Sequence, residues 1–351
     1  MLTQSGVADY LLSLGLVEPA AVVEDDLVVV DASRRNSVFI ATARTGPAHV
    51  VKQADARTAA TLAHEAATLH TLSAMPEMAG LVPEVVHYDA DARRLVLRTA
   101  AGGRDWARQH SDGRLALGPA RALGRALAAL HQLPCDVLED LPPDVDRMWG
   151  LSLPEPPHDM LLDLSAAAVD LVARVQGSDA MCARLRELRA GASDGATVHG
   201  DLRWENCVLV AATGGRRRTR VLLVDWELAG RGHPGFDVGT VLAEYLIRWV
   251  MSIPILDARD PSRFMDRARH PLATMRPAIM AFWQAYCTVS GRPPALAPVV
   301  RLAAVRLLQA SVEAAQQSAT PSAHAVVLAQ VAANLLADPE AAALVLLGLH
   351  G

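Results

Sequence analysis

Val198-His199-Gly200-Asp201-Leu202-Arg203-Trp204-Glu205-Asn206-Cys207-Val208-Leu209 is the stretch on which the reading of this chain turns. A His-Gly-Asp triplet is followed, five positions after Asp201, by Asn206 and then by an apolar run. Nineteen residues after Asn206, Leu222-Leu223-Val224-Asp225-Trp226-Glu227 sets a second aspartate at the end of another apolar run. The runs Cys207–Ala212 and Arg220–Val224 predict two short strands joined by Thr213-Gly214-Gly215-Arg216-Arg217-Arg218. The arginines there read as a solvated hairpin tip. The pattern therefore sets Asp201 and Asn206 in a loop before one strand and Asp225 in the loop after the next.

Upstream, the first hundred residues read as a small sheet. Leu27–Val30, Val38–Ala43 and His49–Ala54 are three apolar runs separated by Ser33-Arg34-Arg35-Asn36-Ser37 and by Thr45-Gly46-Pro47. Short connections of this kind predict an antiparallel meander. Leu62, Ala66, Leu69 and Leu72 recur at spacings of four and three, the period of one helical face, with His64 and Glu65 beside the stripe. Pro83–Val86 and Leu95–Arg98 read as two further strands. Lys52, in Val50-Val51-Lys52, is the only lysine in the chain, and Glu65 follows it by 13 residues on the next helix.

Downstream the character changes. After Gly102-Gly103 a helix is predicted over Pro119–Leu133, with Leu123, Leu127 and Leu130 on one face and Pro134 as its stop. Leu141–Pro157 is proline-rich and irregular, and helical patterns return over Leu161–Gln176 and Ala180–Ala190. From Gly239 onward the chain reads as almost entirely helical.

The two motifs together resemble the catalytic loop and metal-binding aspartate of the aminoglycoside phosphotransferase and choline kinase group, relatives of the protein kinases. The resemblance extends from the N-terminal strands through Leu123-Gly124-x2-Leu127-x2-Leu130-His131-x-Leu133-Pro134 to the helical tail. It implies an α+β, two-lobed protein-kinase-like fold. Residues 1–100 would form a small antiparallel β lobe with one helix that binds nucleotide. Residues 101–351 would form a larger, mainly helical lobe with the catalytic loop and the acceptor site. The implied activity is phosphoryl transfer from ATP with Mg2+ to an acceptor hydroxyl. Such a reaction needs a carboxylate beside the acceptor hydroxyl and a divalent cation to neutralise phosphate charge, and Mg2+ suits a site of oxygen donors.

Carried over residue by residue, Asp201 is the catalytic carboxylate, and Asn206 and Asp225 are the metal ligands. Lys52 holds the phosphates and pairs with Glu65. Ser33, Asn36 and Ser37 stand where a glycine-rich phosphate loop is usual, although no glycine is present. Leu97–Ala101 is the expected position of the base pocket. Arg203 contacts the transferred phosphate or is a surface arginine. Asp237, in Gly235-Phe236-Asp237-Val238-Gly239, is expected to cap the following helix and brace the catalytic loop. His199 anchors that loop through hydrogen bonds, and Glu227 supports the metal site, faces the acceptor or is solvated.

The acceptor is less specified. Small-molecule kinases of the group often carry His-Pro-Gly after Asp-Leu, whereas this chain has Arg203-Trp204-Glu205. With Arg301-Leu302-x3-Arg306-Leu307-Leu308-Gln309 and Glu313, that variant is similar to stand-alone phosphotransferases of lanthipeptide-type pathways. There a Ser or Thr of a precursor peptide is phosphorylated, and a separate lyase eliminates the phosphate. A small-molecule kinase for an aminoglycoside, sugar or amino alcohol is the alternative, with Glu244 and Asp257 as candidate acidic contacts to a cation. A non-catalytic nucleotide- or partner-binding protein is the third reading.

Composition narrows the classes further. Of 351 residues, 51% are hydrophobic and 20% charged, which excludes a disordered chain, and the length suggests about two domains. A net charge of −5 argues against a strongly basic nucleic-acid-binding face. Met1–Leu16 has no basic region ahead of its apolar stretch, and Val238–Leu256 is interrupted by Glu244, Arg248 and Pro254, so neither reads as a signal or a membrane span. Cys135, Cys182, Cys207 and Cys287 form no CxxC pair, so a reducing cytoplasm is expected.

Overall fold

The computed structural model describes residues 2–24, 26–33, 37–44, 46–99, 103–106, 115–138, 141, 146–191, 195–211, 219–254 and 267–350. Five strands form the small sheet: β1 (Leu27–Asp31), β2 (Ser37–Ala43), β3 (Ala48–Gln53), β4 (Glu84–Asp89) and β5 (Arg94–Thr99). Their order is β1-β2-β3-β5-β4, and every pairing is antiparallel. The expected meander, inserted helix and two further strands are all present. The helix between β3 and β4 is α3 (Ala59–Ser73), whose leucines 62, 69 and 72 are buried together with His64 and Glu65.

Two helices ahead of the sheet, α1 (Gln4–Ser13) and α2 (Pro19–Val23), were not expected. Val7 and Leu11 of α1, one turn apart, pack on Phe39, Ala41, Val51 and Val96 as a separate small core. Strand alternation explains the choice of face. Phe39 and Ala41 of β2 point toward α1. Val38 and Ile40 point the other way, opposite Lys52 and Val50 of β3. Arg94 lies over the Tyr10 ring at 4.9 Å and fastens the far end of α1.

The larger part is mainly helical. After the two-residue strand β6 (Arg104–Asp105) come α4 (Leu117–His131), α5 (His158–Leu162), α6 (Ala166–Gln176) and α7 (Asp179–Gly191). The helix expected over Leu161–Gln176 is thus two helices. Ser165 breaks it: its hydroxyl accepts from the Ala168 N–H as an N-cap and donates to the Ala315 carbonyl. Strands β7 (Ala196–Val198), β8 (Cys207–Ala211), β9 (Thr219–Leu223) and β10 (Gly230–Gly232) follow. β8 and β9 form the expected hairpin, with β6 on its outer edge, and β10 pairs with β7. The arginine-rich tip of the hairpin lies outside the described residues.

The tail comprises α8 (Pro234–Met251), α9 (Leu272–Ser290), α10 (Leu296–Ala315), α11 (Ala323–Ala337) and α12 (Pro339–Ala342). Helix α8 begins five residues earlier than the sequence suggested, because Pro234 suits the first helical turn and the His233 ring accepts the Gly235 N–H as its cap. The expected role of Asp237 as the cap is therefore corrected: it sits inside the first turn. Among the described residues no single helix is long and apolar enough to cross a membrane. The boundary placed at residue 100 lies outside the described residues.

Candidate active site

The catalytic loop hangs between β7 and β8. Gly200 adopts φ +81°, and a Cβ there would collide with the Leu228 carbonyl, so only glycine fits. Asp237, fully buried in the first turn of α8, holds the loop from behind. Its carboxylate accepts the His199 N–H at 2.7 Å, the Gly200 N–H at 2.9 Å and His131 Nε2 at 3.1 Å. Burial alone would raise its pKa, yet these donors hold the carboxyl below the usual range. Behind it, the Tyr286 hydroxyl lies 2.9 Å from His131 Nδ1, so α4, α8, α9 and the loop share one polar chain.

His199 is buried against Trp226, with ring centroids 4.5 Å apart. Its Nε2 faces the Val224 carbonyl at 3.1 Å and its Nδ1 accepts the Asp201 N–H. Burial pulls its pKa below the ordinary imidazole value despite three nearby aspartates. A neutral ring spent on two backbone groups positions the loop and is no proton acceptor.

Asp201 and Asn206 meet through a single 3-10 turn, Trp204–Asn206. The Asn206 amide donates to the Asp201 carbonyl at 2.8 Å and to Asp201 Oδ2 at 3.0 Å. That turn is why the spacing is five. Arg203 Nε lies 3.0 Å from Asp201 Oδ1. The Val224 N–H then binds the Asn206 carbonyl, tying the loop to the end of β9.

Lys52, Glu65 and Asp225 come together across the cleft between the sheet and the helices. Lys52 Nζ donates to both Glu65 oxygens at 2.7 and 2.8 Å and to Asp225 Oδ1 at 2.7 Å. Burial disfavours the ammonium, but the two carboxylates more than offset this and lift its pKa above the usual lysine value. Burial likewise opposes ionisation of Asp225, and Lys52 overrides it, leaving that carboxyl below its usual range. Glu65 also accepts the Trp226 N–H at 3.2 Å, and His64 Nε2 contacts the Ala229 carbonyl at 2.7 Å. Helix α3 therefore grips the Asp225 loop at several points. Asp225 itself sits at φ +70°, a left-handed conformation that aspartate tolerates better than most residues.

The rest of the expected nucleotide site is only partly on view. The Ser33 hydroxyl accepts the Val38 N–H at 3.0 Å and closes the mouth of the β1–β2 loop. Ser37 begins β2, one position from the Val38–Lys52 pair. Asn36, like Arg34 and Arg35, lies outside the described residues, and so do Ala100 and Ala101 of the expected base pocket. One feature the sequence reading passed over is the apolar roof. Val28, Val30 and Ile40 are 58%, 52% and 37% exposed on the sheet face that also carries Lys52. A flat apolar ligand surface would cover them.

Oxygen donors for a cation are available. Asp225 presents a carboxylate to the cleft, and Asn206, with its amide nitrogen on Asp201, retains its oxygen. Among the described residues no group of three or more His, Cys, Asp or Glu side chains could hold a metal. Two oxygen ligands fit Mg2+, which takes the remainder from phosphates and water. Glu244, one of the two candidate contacts to a cationic acceptor, is not available for that task. Its side chain is only 12% exposed, accepts the Trp204 N–H and pairs with Arg306. Asp257, the other, lies outside the described residues. Arg306 and Glu313 of α10 also reach this side of the loop, with Glu313 Oε2 3.9 Å from Arg203 Nη1.

Comparison with known proteins agrees with this arrangement. The sequence profile of the phosphotransferase enzyme family matches residues 26–258. Among solved structures, a choline/ethanolamine kinase family protein from Mesorhizobium loti has TM-score 0.55 at 18% identity, over 95% of this chain and 96% of that one. A putative fructosamine-3-kinase from Thermobifida fusca has TM-score 0.52 at 17% identity, over 89% and 93%. A macrolide 2'-phosphotransferase from Brachybacterium faecium has TM-score 0.51 at 18% identity, over 92% and 96%. At these identities the likeness is one of fold. No curated protein matches the sequence.

Proposed function

Because this chain belongs to the phosphotransferase enzyme family, we propose that it transfers the γ-phosphate of ATP to an acceptor hydroxyl through Asp201, with Lys52, Asn206 and Asp225 serving the nucleotide and Mg2+. The observation that carries this reading is the Lys52–Glu65–Asp225 group. It joins the sheet to the metal-side loop at 2.7 Å, next to the Asp201–Asn206 turn.

Each residue has a task that its surroundings suit. Lys52, held charged by two carboxylates, meets the α- and β-phosphates. Val30, Val38, Ile40 and Val50 roof the base, while Ser33 and Ser37 border the phosphates. Bound Mg2+ would neutralise charge on the phosphates, and Asn206 and Asp225 would hold it. Asp201, fixed by Asn206 and Arg203, orients the acceptor hydroxyl and takes its proton. Arg203 is close enough to that carboxylate to touch the phosphoryl group as it arrives. The chemistry is mostly positioning and electrostatics, and a loop braced by Asp237 supplies that.

For the acceptor we propose a Ser or Thr hydroxyl of a precursor peptide, with the phosphate removed later by a separate lyase. Support comes from Arg203-Trp204-Glu205 in place of His-Pro-Gly, together with Arg306 and Glu313, which the fold gathers around Asp201. A small-molecule alcohol is the second reading, in line with the choline/ethanolamine, fructosamine and macrolide kinases that share the fold. Under this proposal the reaction takes place in the cytoplasm, where ATP is available, and the four free cysteines are compatible with that.

The test is transfer from γ-labelled ATP with Mg2+, reading label by product size on Ser/Thr precursor peptides and on pooled amino alcohols and sugars. Label on peptide, lost in Asp201→Ala, supports the peptide acceptor. Label on a small molecule alone overturns it. No label on any acceptor, with nucleotide bound, counts against phosphoryl transfer itself.

A further inference from the structure

The acceptor side of Asp201 carries a second charge network, built from helices α8 and α10. Arg306 is only 6% exposed, yet it faces two glutamates at once. Its Nε lies 3.6 Å from Glu244 Oε1, and Nη1 and Nη2 lie 3.2 and 3.3 Å from the two oxygens of Glu313. Arg306 and Glu313 are seven residues apart on α10, two helical turns, so the fold gives them one face. The other Glu244 oxygen accepts the Trp204 N–H at 3.4 Å. Glu313 leads on to Arg203 and so to Asp201. Glu313, 44% exposed, is the most solvent-accessible member of the network, ahead of Arg203 at 30%.

The linked side chains are three carboxylates and two guanidiniums. Two of the carboxylates are cancelled, which leaves one negative charge, equal to that of Asp201 alone. Among these linked side chains a polycationic alcohol approaching Asp201 meets one net negative charge where the three carboxylates alone would present three, and Glu205, near Arg203, adds one more. We propose that Arg306 sets acceptor charge specificity: by offsetting one of the two charges of Glu244 and Glu313 it lowers the negative charge near the reacting hydroxyl and disfavours polycations relative to neutral or anionic acceptors. This inference rests on the phosphotransferase reading and narrows its substrate class.

The argument predicts a gain, which a merely structural arginine would not give. Removing one positive charge within several ångströms of the acceptor changes the affinity of a cation by about tenfold in a partly screened site. Titration calorimetry with kanamycin and with its fully N-acetylated, uncharged derivative gives a ratio of affinities. Arg306→Gln is expected to raise the preference for kanamycin about tenfold above the wild-type ratio, with the gain falling in high salt. Adding Glu244→Gln to Arg306→Gln restores the original charge and should return the ratio to its wild-type value, although packing is disturbed at least as much. A wild type that already prefers kanamycin tenfold, or a folded Arg306→Gln without the gain, overturns the proposal.

If Arg306→Gln does not fold, Glu313→Gln decides, because that side chain is half exposed. It leaves the network neutral and should bind an Asp-rich serine peptide about tenfold tighter than wild type; no tightening overturns the proposal. Phosphate transfer from ATP is measured separately against Asp201→Ala. Its absence on all acceptors would retire the phosphotransferase reading while the binding ratios still judged Arg306.

Discussion

Asp225→Asn separates the catalytic contribution of the Lys52 group from its structural one. Asparagine is nearly isosteric and tolerates the φ of +70° at this position, so the backbone is kept. The variant loses one charge. Lys52 still has both oxygens of Glu65 at 2.7 and 2.8 Å. The lost pair involves a carboxylate that is 34% exposed, so its worth is screened to about 1 kcal/mol. That is a fall in Tm of about 2–4 °C. Under the proposed metal role the cost to catalysis is larger, because the carboxylate would act on the transferring phosphate. Loss of one such preorganised group costs about 3–4 kcal/mol, a factor of about 10²–10³ in kcat. Asp225→Ala should match that catalytic loss and melt lower still, since alanine at a left-handed φ costs about 1–2 kcal/mol. The assay is single-turnover transfer across a Mg2+ titration, paired with calorimetric melting. An Asp225→Asn enzyme within tenfold of wild type at saturating Mg2+ would refute the metal role. A fall in Tm beyond about 10 °C would show the carboxylate to be chiefly a structural counter-ion for Lys52.

Three further outcomes follow from the same geometry. Lys52→Met leaves Glu65, 1% exposed, without its cation, and should destabilise by about 3–5 kcal/mol and abolish binding of a fluorescent ATP analogue; a melt unchanged within 3 °C would contradict the pairing. Asp237 has a folded pKa below its unfolded value of about 3.9, so its contribution is complete above that value and disappears as pH falls through the folded one. Asp237→Asn should therefore cost about 3 kcal/mol at pH 7, with the gap to wild type narrowing as pH falls below the unfolded value of about 3.9; denaturant unfolding across acidic to neutral pH reads both, and a gap independent of pH would count against the charge. Gly239→Ala would place a Cβ 2.8 Å from the backbone N of Ala303 and the carbonyl of Val299, neither of which can turn aside, so a loss of about 1–3 kcal/mol in stability is expected by calorimetry.

The small sheet was legible because its signals are local. Apolar runs broken by turn residues give β1 to β5, and the 3.6-residue stripe of α3 falls between β3 and β4. Helix α1 was missed because its buried face is only Val7 and Leu11, too short a stripe to stand out. Thr3, which accepts the Gly6 N–H, was the available start signal. The break at Ser165 was hidden for a related reason. Leucines on either side keep a helical spacing, and the hydroxyl's partner, the Ala315 carbonyl, lies 150 residues away.

The site divides along the same line, and the division explains why the acceptor was the least legible part. Asp201 and Asn206 are joined by one turn, so a spacing of five encodes their contact directly. Lys52 and Glu65 are 13 residues apart across a strand-to-helix turn, which a resemblance can carry. His131 and Asp237 are 106 residues apart, and nothing near either residue names the other. Only packing of α4 against α9 and of α8 against the loop brings them together. The same holds for Glu244 and Arg306, which read separately as an acidic contact and a tail arginine. Apart, Glu244 invites a cationic acceptor; in the fold it is paired with Arg306, and its second oxygen is on the Trp204 N–H. The charge an acceptor meets is therefore a property of the helix packing and not of any residue's identity. A sequence reading can name the reaction from two short motifs, while the choice of substrate rests on contacts between α8 and α10 that no spacing encodes.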